Sequence, residues 1–471
     1  MSVPETARDI NSIEQIIFGW CCQLGRELMR GVFEDLDLEL REARDKSIYH
    51  NKQRRKTTLK TIMGEVEYWR TQYEYHPEEG LTEYVYLLDE ELGLVCKGQL
   101  SGSLSAVIAQ AACESSYRSV SRQVSEMTGQ VISHTGAWNV VQMLGEQLDA
   151  REKEAAALAL KGEGVGELES KLLFEEQDGI HLNLQGSSRK EHGPNKEMKV
   201  AIAYDGYKKT GKKRYELTNK VACANFECIE KFVNRKEGVI AGAFNVDEIA
   251  MRLLGGDGAK WIRRSQTDEM VHFQLDQFHR NKALKQYVSN PEIQEDLREL
   301  LYSNEIDLLM HVIEVHCLST DDEEERDQYA KLLTYYQNNR DGLVPCHRRG
   351  IEYPEPPKGV EYRRMGTMES NIFTIIGNRM KGRRACWSIN GANNLARLLC
   401  LKHTKKLTSA LQTLTELVLP ERYAEDIAVK MSAAQAPKRE GKGYDGYRQM
   451  SVPSSMKWLK DLASIRTVIG G

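Results

Sequence analysis

The stretch LFEEQDGIHLNL, residues 173–184, decides how the rest of this chain is read. Ile180, Leu182 and Leu184 alternate with polar residues in the period-two pattern of a half-buried strand, and Asp178 interrupts that pattern with a charge. A carboxylate inside such a run is costly to fold unless something compensates it. Two further acids occupy comparable places. Asp257 lies in LLGGDGAKWI (253–262), where an apolar run opens into glycines, and Glu369 lies in GTMESNIFTIIGNRM (366–380). Asp257 follows Asp178 by 79 residues and Glu369 follows Asp257 by 112. Glu369, Ile372, Phe373, Ile376 and Met380 have the spacing of one helical face, which predicts a helix with Glu369 on its buried stripe. Carboxylates gathered at the edge of a core repel each other unless a cation joins them, and hard oxygen ligands suit Mg²⁺ or Mn²⁺. The pattern points to two-metal phosphoryl transfer on DNA, with Asp178, Asp257 and Glu369 holding two ions.

Each acid has a plainer reading beside this one. A GDG is commonly a turn, a glutamate in a first helical turn is favoured by the helix dipole, and Asp205 in AIAYDGYKK competes with Asp178 for the first position. Asp178 is preferred because it falls in the first strand of its block, where a central strand would present an inner ligand. Asp276 and His279 in QLDQFHR lie three residues apart at a helix start; they read as a capping pair, with His279 kept as an accessory catalytic candidate. Trp261 is a candidate to stack on a splayed base, with core packing as the alternative.

The chain has 471 residues, 41% hydrophobic and 28% charged, and a mean hydropathy of −0.53. Such a length divides into about three or four structural units. No apolar run approaches the roughly 18 residues of a membrane span and the N-terminus lacks a signal-peptide pattern, so a cytoplasmic, nucleoid-associated protein is expected. Ten cysteines without a CxxC pair read as reduced thiols. The net charge of −4 excludes a uniformly basic coat but hides clusters at Arg54-Arg55-Lys56, Lys212-Lys213-Arg214 and Arg379-Lys381-Arg383-Arg384. Local phosphate neutralisation needs no more than such clusters. Arg54, Arg55, Lys56, Arg379, Arg383 and Arg384 are therefore DNA-contact candidates.

Along the chain, residues 1–100 read as an N-terminal region. An amphipathic helix over 11–44 carries Ile13, Ile16, Ile17, Trp20, Leu24 and Leu28 on one side, expected to pack on a partner; a basic β-hairpin turns at Gly64. Residues 101–150 read as helix, turn, helix: SYRSVSRQVSEMTG ends at Gly129, and Ser133 caps the second helix. As a helix-turn-helix, this would bring Ser133, His134, Thr135, Trp138 and Asn139 to a major groove. Residues 151–170 form a helical connector. Strands at 172–184, 198–206, 213–222, 249–255 and 271–275, with helices near 226–236 and 278–288, make 171–288 the first part of an α/β core. The segment GSSRKEHGPNKE (186–197) reads as a loop. Residues 289–350 form an all-helical insertion, 351–402 complete the core with the Glu369 helix, and 403–471 carry no assignable role. Gly206–Lys212 imitates a phosphate-binding loop, yet Lys213 stands where Ser or Thr should be and strand-like residues follow, so it reads as a basic hairpin. Cys346-His347 has no partner pattern for a thiol nucleophile.

Taken together, TIMGEVEYWRTQYEY, ISHTGAWNVVQMLGE, EEQDGIHLNLQ, GDGAKWI, FQLDQFH, NNRDGL and GTMESN…NRMKGRRACWSINGANNLARLL resemble the ISLre-two type bacterial insertion-sequence transposases, similar to the Mutator-like group. The resemblance spans about residues 12–400. It implies an RNase H-like mixed sheet flanked by helices, a DDE triad at Asp178, Asp257 and Glu369, a helical insertion between the last two acids, and the Asp276-x-x-His279 signature. It also implies double-stranded DNA as partner, both element ends and target, and a homo-oligomer during synapsis. Glu175 and Glu176 depart from it by making the first strand unusually polar. A structure-selective nuclease on the same core and a retired DNA-binding descendant are the alternative functions.

Overall fold

The computed structural model describes residues 9–75, 82–94, 100–266, 269–382 and 384–415, and the chain divides into two compact units. The tail call over 403–471 lies mostly outside these residues, and so does Arg383.

The first unit begins with α1 (Ile10–Ala43), capped by Asp9, whose side chain accepts from the N–H groups of Asn11 and Ser12. The antiparallel strands β1 (Tyr49–Thr61) and β2 (Gly64–Tyr75) follow, then β3 (Glu83–Val85) and α2 (Leu87–Glu91). Thr61 pairs with Gly64, whose φ of +109° closes the hairpin where the sequence predicts it. Phe33, Leu36, Leu59, Val66, Tyr68, Leu88 and Leu92 make the core of this unit. Ile13, Ile17, Leu24 and Leu28 of the predicted apolar stripe of α1 are exposed in the single chain, and the helix packs into this unit's core from Met29 and Phe33 onward. Buried Asp37 accepts from the Thr71 N–H and hydroxyl, tying α1 to β2.

Helices α3 (Gly102–Glu114), α4 (Tyr117–Thr128) and α5 (His134–Leu160) come next. Gly129 ends α4 at φ +64°, and the Ser133 hydroxyl caps α5 by accepting from Gly136 N–H. The second helix of the predicted pair is thus 27 residues long and absorbs half of the predicted connector.

The second unit is built on a mixed sheet of β4 (Leu172–Leu184), β5 (Asn195–Tyr204), β8 (Val221–Asn225), β9 (Met251–Gly256) and β10 (Val271–Leu275), in the order β10-β9-β4-β5-β8. Strand β4 is central, antiparallel to β5 and parallel to β9; β10 is parallel to β9, and β5 pairs antiparallel with β8. The short β11 (Cys386–Trp387) pairs with the end of β4. This is the expected α/β, RNase H-like arrangement. Two details differ from the sequence reading. The segment from Gly186 to His192 is a short helix, α6. The predicted strand 213–222 splits into β7 (Arg214–Leu217) and β8, because Asn219 between them takes a left-handed φ of +49°. The phosphate-loop imitation is a hairpin of β6 (Tyr207–Gly211) and β7, as predicted.

Helices α7 (Ile229–Ala241), α8 (Lys260–Arg263), α9 (Gln277–Tyr287), α10 (Pro291–Ser303), α11 (Ile306–Ser319), α12 (Glu323–Asn338) and α13 (Arg340–Leu343) follow in chain order. The inserted helices do not form a separate core: Leu297, Leu309, Leu332 and Tyr336 belong to the same buried cluster as Leu254, Phe273 and Leu275 of the sheet. The Glu369 helix runs as α14 (Met368–Ile372), a π-turn over Phe373–Gly377 and α15 (Asn378–Met380); α16 (Ile389–His403) and α17 (Leu407–Thr415) close the unit. Among the described residues no helix is long and apolar enough to cross a membrane.

A buried ionic cluster joins α5, α7 and α16. Arg235 reaches Asp149 at 2.7 Å, Glu152 at 3.2 Å and Glu227 at 2.6 Å, while Arg397 pairs with the same Asp149 and Glu152. Burial pushes the Glu152 carboxyl up against the pull of both arginines. Removing one cation leaves buried acids uncompensated, so Arg235→Met is expected to cost about 3–5 kcal/mol, measured by urea unfolding. An unchanged midpoint would mean that the cluster contributes nothing.

Candidate active site

Parallel register brings the first two acids together. Glu176 of β4 pairs with Gly255 of β9 at the end of that ladder, and Asp178 and Asp257, each two residues further along the chain, line the same pocket. Gly258 turns the chain away at φ +85°, and a Cβ there would meet the Asn339 side chain at 2.2 Å. The Asp257 carboxylate accepts from Ala259 N–H at 2.8 Å, and its carbonyl accepts from the Tyr335 hydroxyl of α12 at 2.8 Å. The inserted helices therefore brace the loop that carries the second acid.

Glu369 is brought in by an interaction that the sequence reading did not identify. Glu176, buried at 2% exposure, accepts at Oε2 from the backbone N–H groups of Gly366 (2.9 Å), Thr367 (2.8 Å) and Met368 (3.1 Å). Its Oε1 accepts from the Thr367 and Tyr204 hydroxyls, each at 2.7 Å. A helix start has unpaired N–H groups, and a carboxylate from β4, about 190 residues earlier, supplies their acceptor. The polar character of the first strand, a departure from the resemblance, has this physical cause. Glu175, its neighbour on the other face, is instead neutralised by Lys236 and Arg252.

Asp178, Asp257, Glu369, Asp276, His279 and Glu176 all line one pocket. Asp205 does not: it lies buried just past the end of β5, accepting from the Asn219 side-chain amide at 2.6 Å. The Asp178 carboxyl is pushed up to about 6, chiefly by burial and further by Asp257 and Glu369, against the Gly179 N–H and His279 that draw it down. Asp276 caps α9 by accepting from His279 N–H at 3.1 Å and holds the ring Nδ1 at 3.0 Å, which raises the imidazole above its ordinary value. The capping and pocket-lining readings of this pair are thus compatible.

An oxygen-rich donor set with mutual repulsion is chemically suited to a hard divalent cation. The side chains are not drawn into a closed ligand shell: among the described residues no group of three His, Cys, Asp or Glu side chains is placed to hold a metal ion. Glu369 is exposed, not buried as the helical spacing predicts, and Phe373 is 62% exposed. The buried face is instead Met368, Asn371, Ile372, Ile375 and Ile376, and the π-turn begins where the predicted stripe fails.

The other predicted contact residues scatter. Ser133, His134, Thr135, Trp138 and Asn139 lie exposed on the first turns of α5. Arg54, Arg55 and Lys56 are exposed on β1, with Lys56 paired to Glu67 at 2.6 Å. Arg384 is exposed at a left-handed φ of +56°. Two assignments are corrected. Trp261 is 7% exposed and packs edge-on against Phe232 at 5.5 Å, so the core has claimed it. Arg379 donates to the Ala112 carbonyl at 2.7 Å and lies against the rings of Tyr117 and Trp387, which commits it to packing.

The chain matches, over residues 7–411, the family described as "Uncharacterised protein family (UPF0236)". It is similar to a UPF0236 protein of Caldanaerobacter subterraneus subsp. tengcongensis, 25% identical over 390 residues that cover 80% of this chain and 74% of the relative. A second protein of that organism is 22% identical over 386 residues, covering 80% and 75%. A UPF0236 protein from the vanSb 3′ region of Streptococcus gallolyticus is 21% identical over 348 residues, covering 72% and 70%.

Two outcomes are expected from this geometry. Glu176→Gln replaces an all-acceptor carboxylate with a group that cannot satisfy every donor, and should cost about 1.5–3 kcal/mol in urea unfolding. A loss below a few tenths would show that the helix start is held elsewhere. An acid raised on folding binds its proton more tightly in the native state, so the wild type carries a penalty at high pH that is relieved as pH falls through about 6 towards the ordinary 3.8. Asp178→Asn should therefore raise the Tm in EDTA at pH 8, with the gain vanishing near pH 4; a lower Tm at pH 8 contradicts this account.

Proposed function

The chain belongs to UPF0236, a family whose description assigns no activity, and from its pocket we propose that it is a DDE-type transposase, cutting and rejoining DNA strands with divalent cations. The observation that carries this reading is the convergence of Asp178, Asp257 and Glu369, from three distant stretches, on one pocket beside the central strand. Asp178, Asp257 and Glu369 would hold Mg²⁺ or Mn²⁺, in a pair as the sequence reading expects. When bound, such a cation supplies Lewis acidity to a phosphodiester oxygen and to the attacking hydroxyl.

The chain's own residues contribute the rest. The Asp178 carboxyl, raised to about 6, would be drawn towards its charged form by a cation bound beside it. Asp276 fixes the His279 ring through Nδ1, which leaves Nε2 to exchange a proton with an attacking or departing oxygen. The Glu176 clamp keeps the Glu369 helix start against β4, which holds the third acid at the pocket that the other two line. The exposed first turns of α5, with Ser133, His134, Thr135, Trp138 and Asn139, are the proposed double-stranded DNA contact. A genomic observation agrees: the printed name of one relative joins eleven loci of a single genome. One product encoded at many loci is expected of a mobile element.

The test uses the full chain, Mg²⁺ and end-labelled duplex taken from the DNA bordering the gene. The wild type should cut at the element ends and join the freed 3′ ends to a target plasmid, and Asp257→Asn should lose both by on the order of 10³-fold while still shifting the duplex in a gel. Cutting without joining would make the protein a nuclease on the same core. Undiminished cleavage by Asp257→Asn would remove the acidic pocket from the reaction.

A further inference from the structure

Beside the acidic pocket is a second, larger cavity of about 540 Å³, within the range of pockets that hold small organic ligands. The two share Gln274 and Met365 as a common wall. Strand alternation explains their relation: Phe174, Glu176 and Asp178 project from one face of β4, and Leu253, Gly255 and Asp257 from the matching face of β9. Phe174 pairs with Leu253 at the cavity, four residues before the acids, which is roughly 13 Å along the strands. That is the reach of a few nucleotides at about 3.4 Å each.

The cavity wall has the composition of a base-stacking site. Tyr353 and Tyr362 stand 6.5 Å apart between ring centroids, and Tyr362 meets Phe174 at 5.6 Å. Among the described residues neither tyrosine hydroxyl has a hydrogen-bond partner. Arg363 lies over the Tyr215 ring at 3.6 Å, and the exposed Arg364 has no acidic partner among the described residues. His347, beside Arg364 and Arg348, is kept below its ordinary value by burial and by those cations. Gln274 is buried, with Oε1 accepting from Cys346 N–H at 3.0 Å. Aromatic faces, the Arg364 guanidinium at the rim, beside an Arg363 that pairs with Glu361 at 3.7 Å, and an amide at the common wall suit an unstacked base and its phosphate.

We propose that this cavity receives one unpaired nucleotide of the DNA strand whose phosphodiester lies in the acidic pocket, a few positions from the bond that is cut. The proposal rests on the strand-cleavage reading of that pocket. It makes Tyr353 and Tyr362 the stacking surfaces and Arg364 the phosphate contact.

The probe is a single-stranded oligonucleotide carrying one 2-aminopurine, titrated in EDTA with the full chain so that binding is read without cleavage. Wild type should quench the fluorophore. Tyr353→Leu and Tyr362→Leu should each weaken binding by about tenfold or more and abolish the quench, while Tyr362→Phe should restore both. Arg364→Gln, at an exposed side chain whose loss leaves no buried partner, should weaken binding and flatten its salt dependence. Equal quenching and affinity in the leucine variants would overturn the proposal, even with Mg²⁺-dependent cutting by the wild type intact. Quenching lost in those variants, with no cutting by any form in Mg²⁺, would keep the nucleotide cavity and discard the transposase reading.

Discussion

The Glu176 carboxylate is the contact on which the site depends. It leaves the central strand, is sealed from water, and satisfies three backbone N–H groups at the start of the Glu369 helix together with two hydroxyls. Burying that charge would be prohibitive without those donors, and the helix start would be short of acceptors without the charge. Each solves the other's problem, and the solution fixes which part of the late chain lies beside β4. Tyr204 extends the arrangement through Tyr207 to the Arg364 carbonyl, so the same network reaches the wall of the neighbouring cavity.

Around this clamp the second unit separates charge that is neutralised from charge that is not. Glu175 is matched by Lys236 and Arg252, and Asp149, Glu152 and Glu227 by Arg235 and Arg397. Among the described residues His279 is the one basic side chain lining the pocket, and Asp178 is raised chiefly by burial and further by Asp257 and Glu369. The acids crowded at this end of the sheet repel one another, unlike Glu175 and the Asp149, Glu152 and Glu227 group, and such unbalanced charge is common at functional sites. Bracing by Tyr335 from the inserted helices keeps the Asp257 loop in place despite the repulsion.

The two cavities then read as successive stations along one sheet face. Moving down β4 and β9, the side chains change from aromatic and aliphatic at Phe174 and Leu253, to the clamp at Glu176, to acids at Asp178 and Asp257. A polymeric substrate with a charged backbone and flat side groups would meet the surface suited to each part in turn.

What the sequence by itself determined was local. Period-two alternation placed β4, and glycine punctuation placed the β1–β2 hairpin, the end of α4 and the Asp257 turn, because backbone sterics act over a few residues. It also marked the three acids, since a charge in an apolar run is visible without knowing its partners. The tertiary structure decided the rest. Only the tertiary structure shows that Asp178, and not Asp205, lines the pocket with Asp257 and Glu369, and only the π-turn shows why Phe373 faces solvent although helical spacing places it inward. Packing claimed Trp261 and Arg379 for the interior and left the apolar stripe of α1 exposed. The role of Glu176 was hidden for the same reason: its partners lie some 190 residues away, and a hydrogen bond over that separation leaves no period in the chain to read.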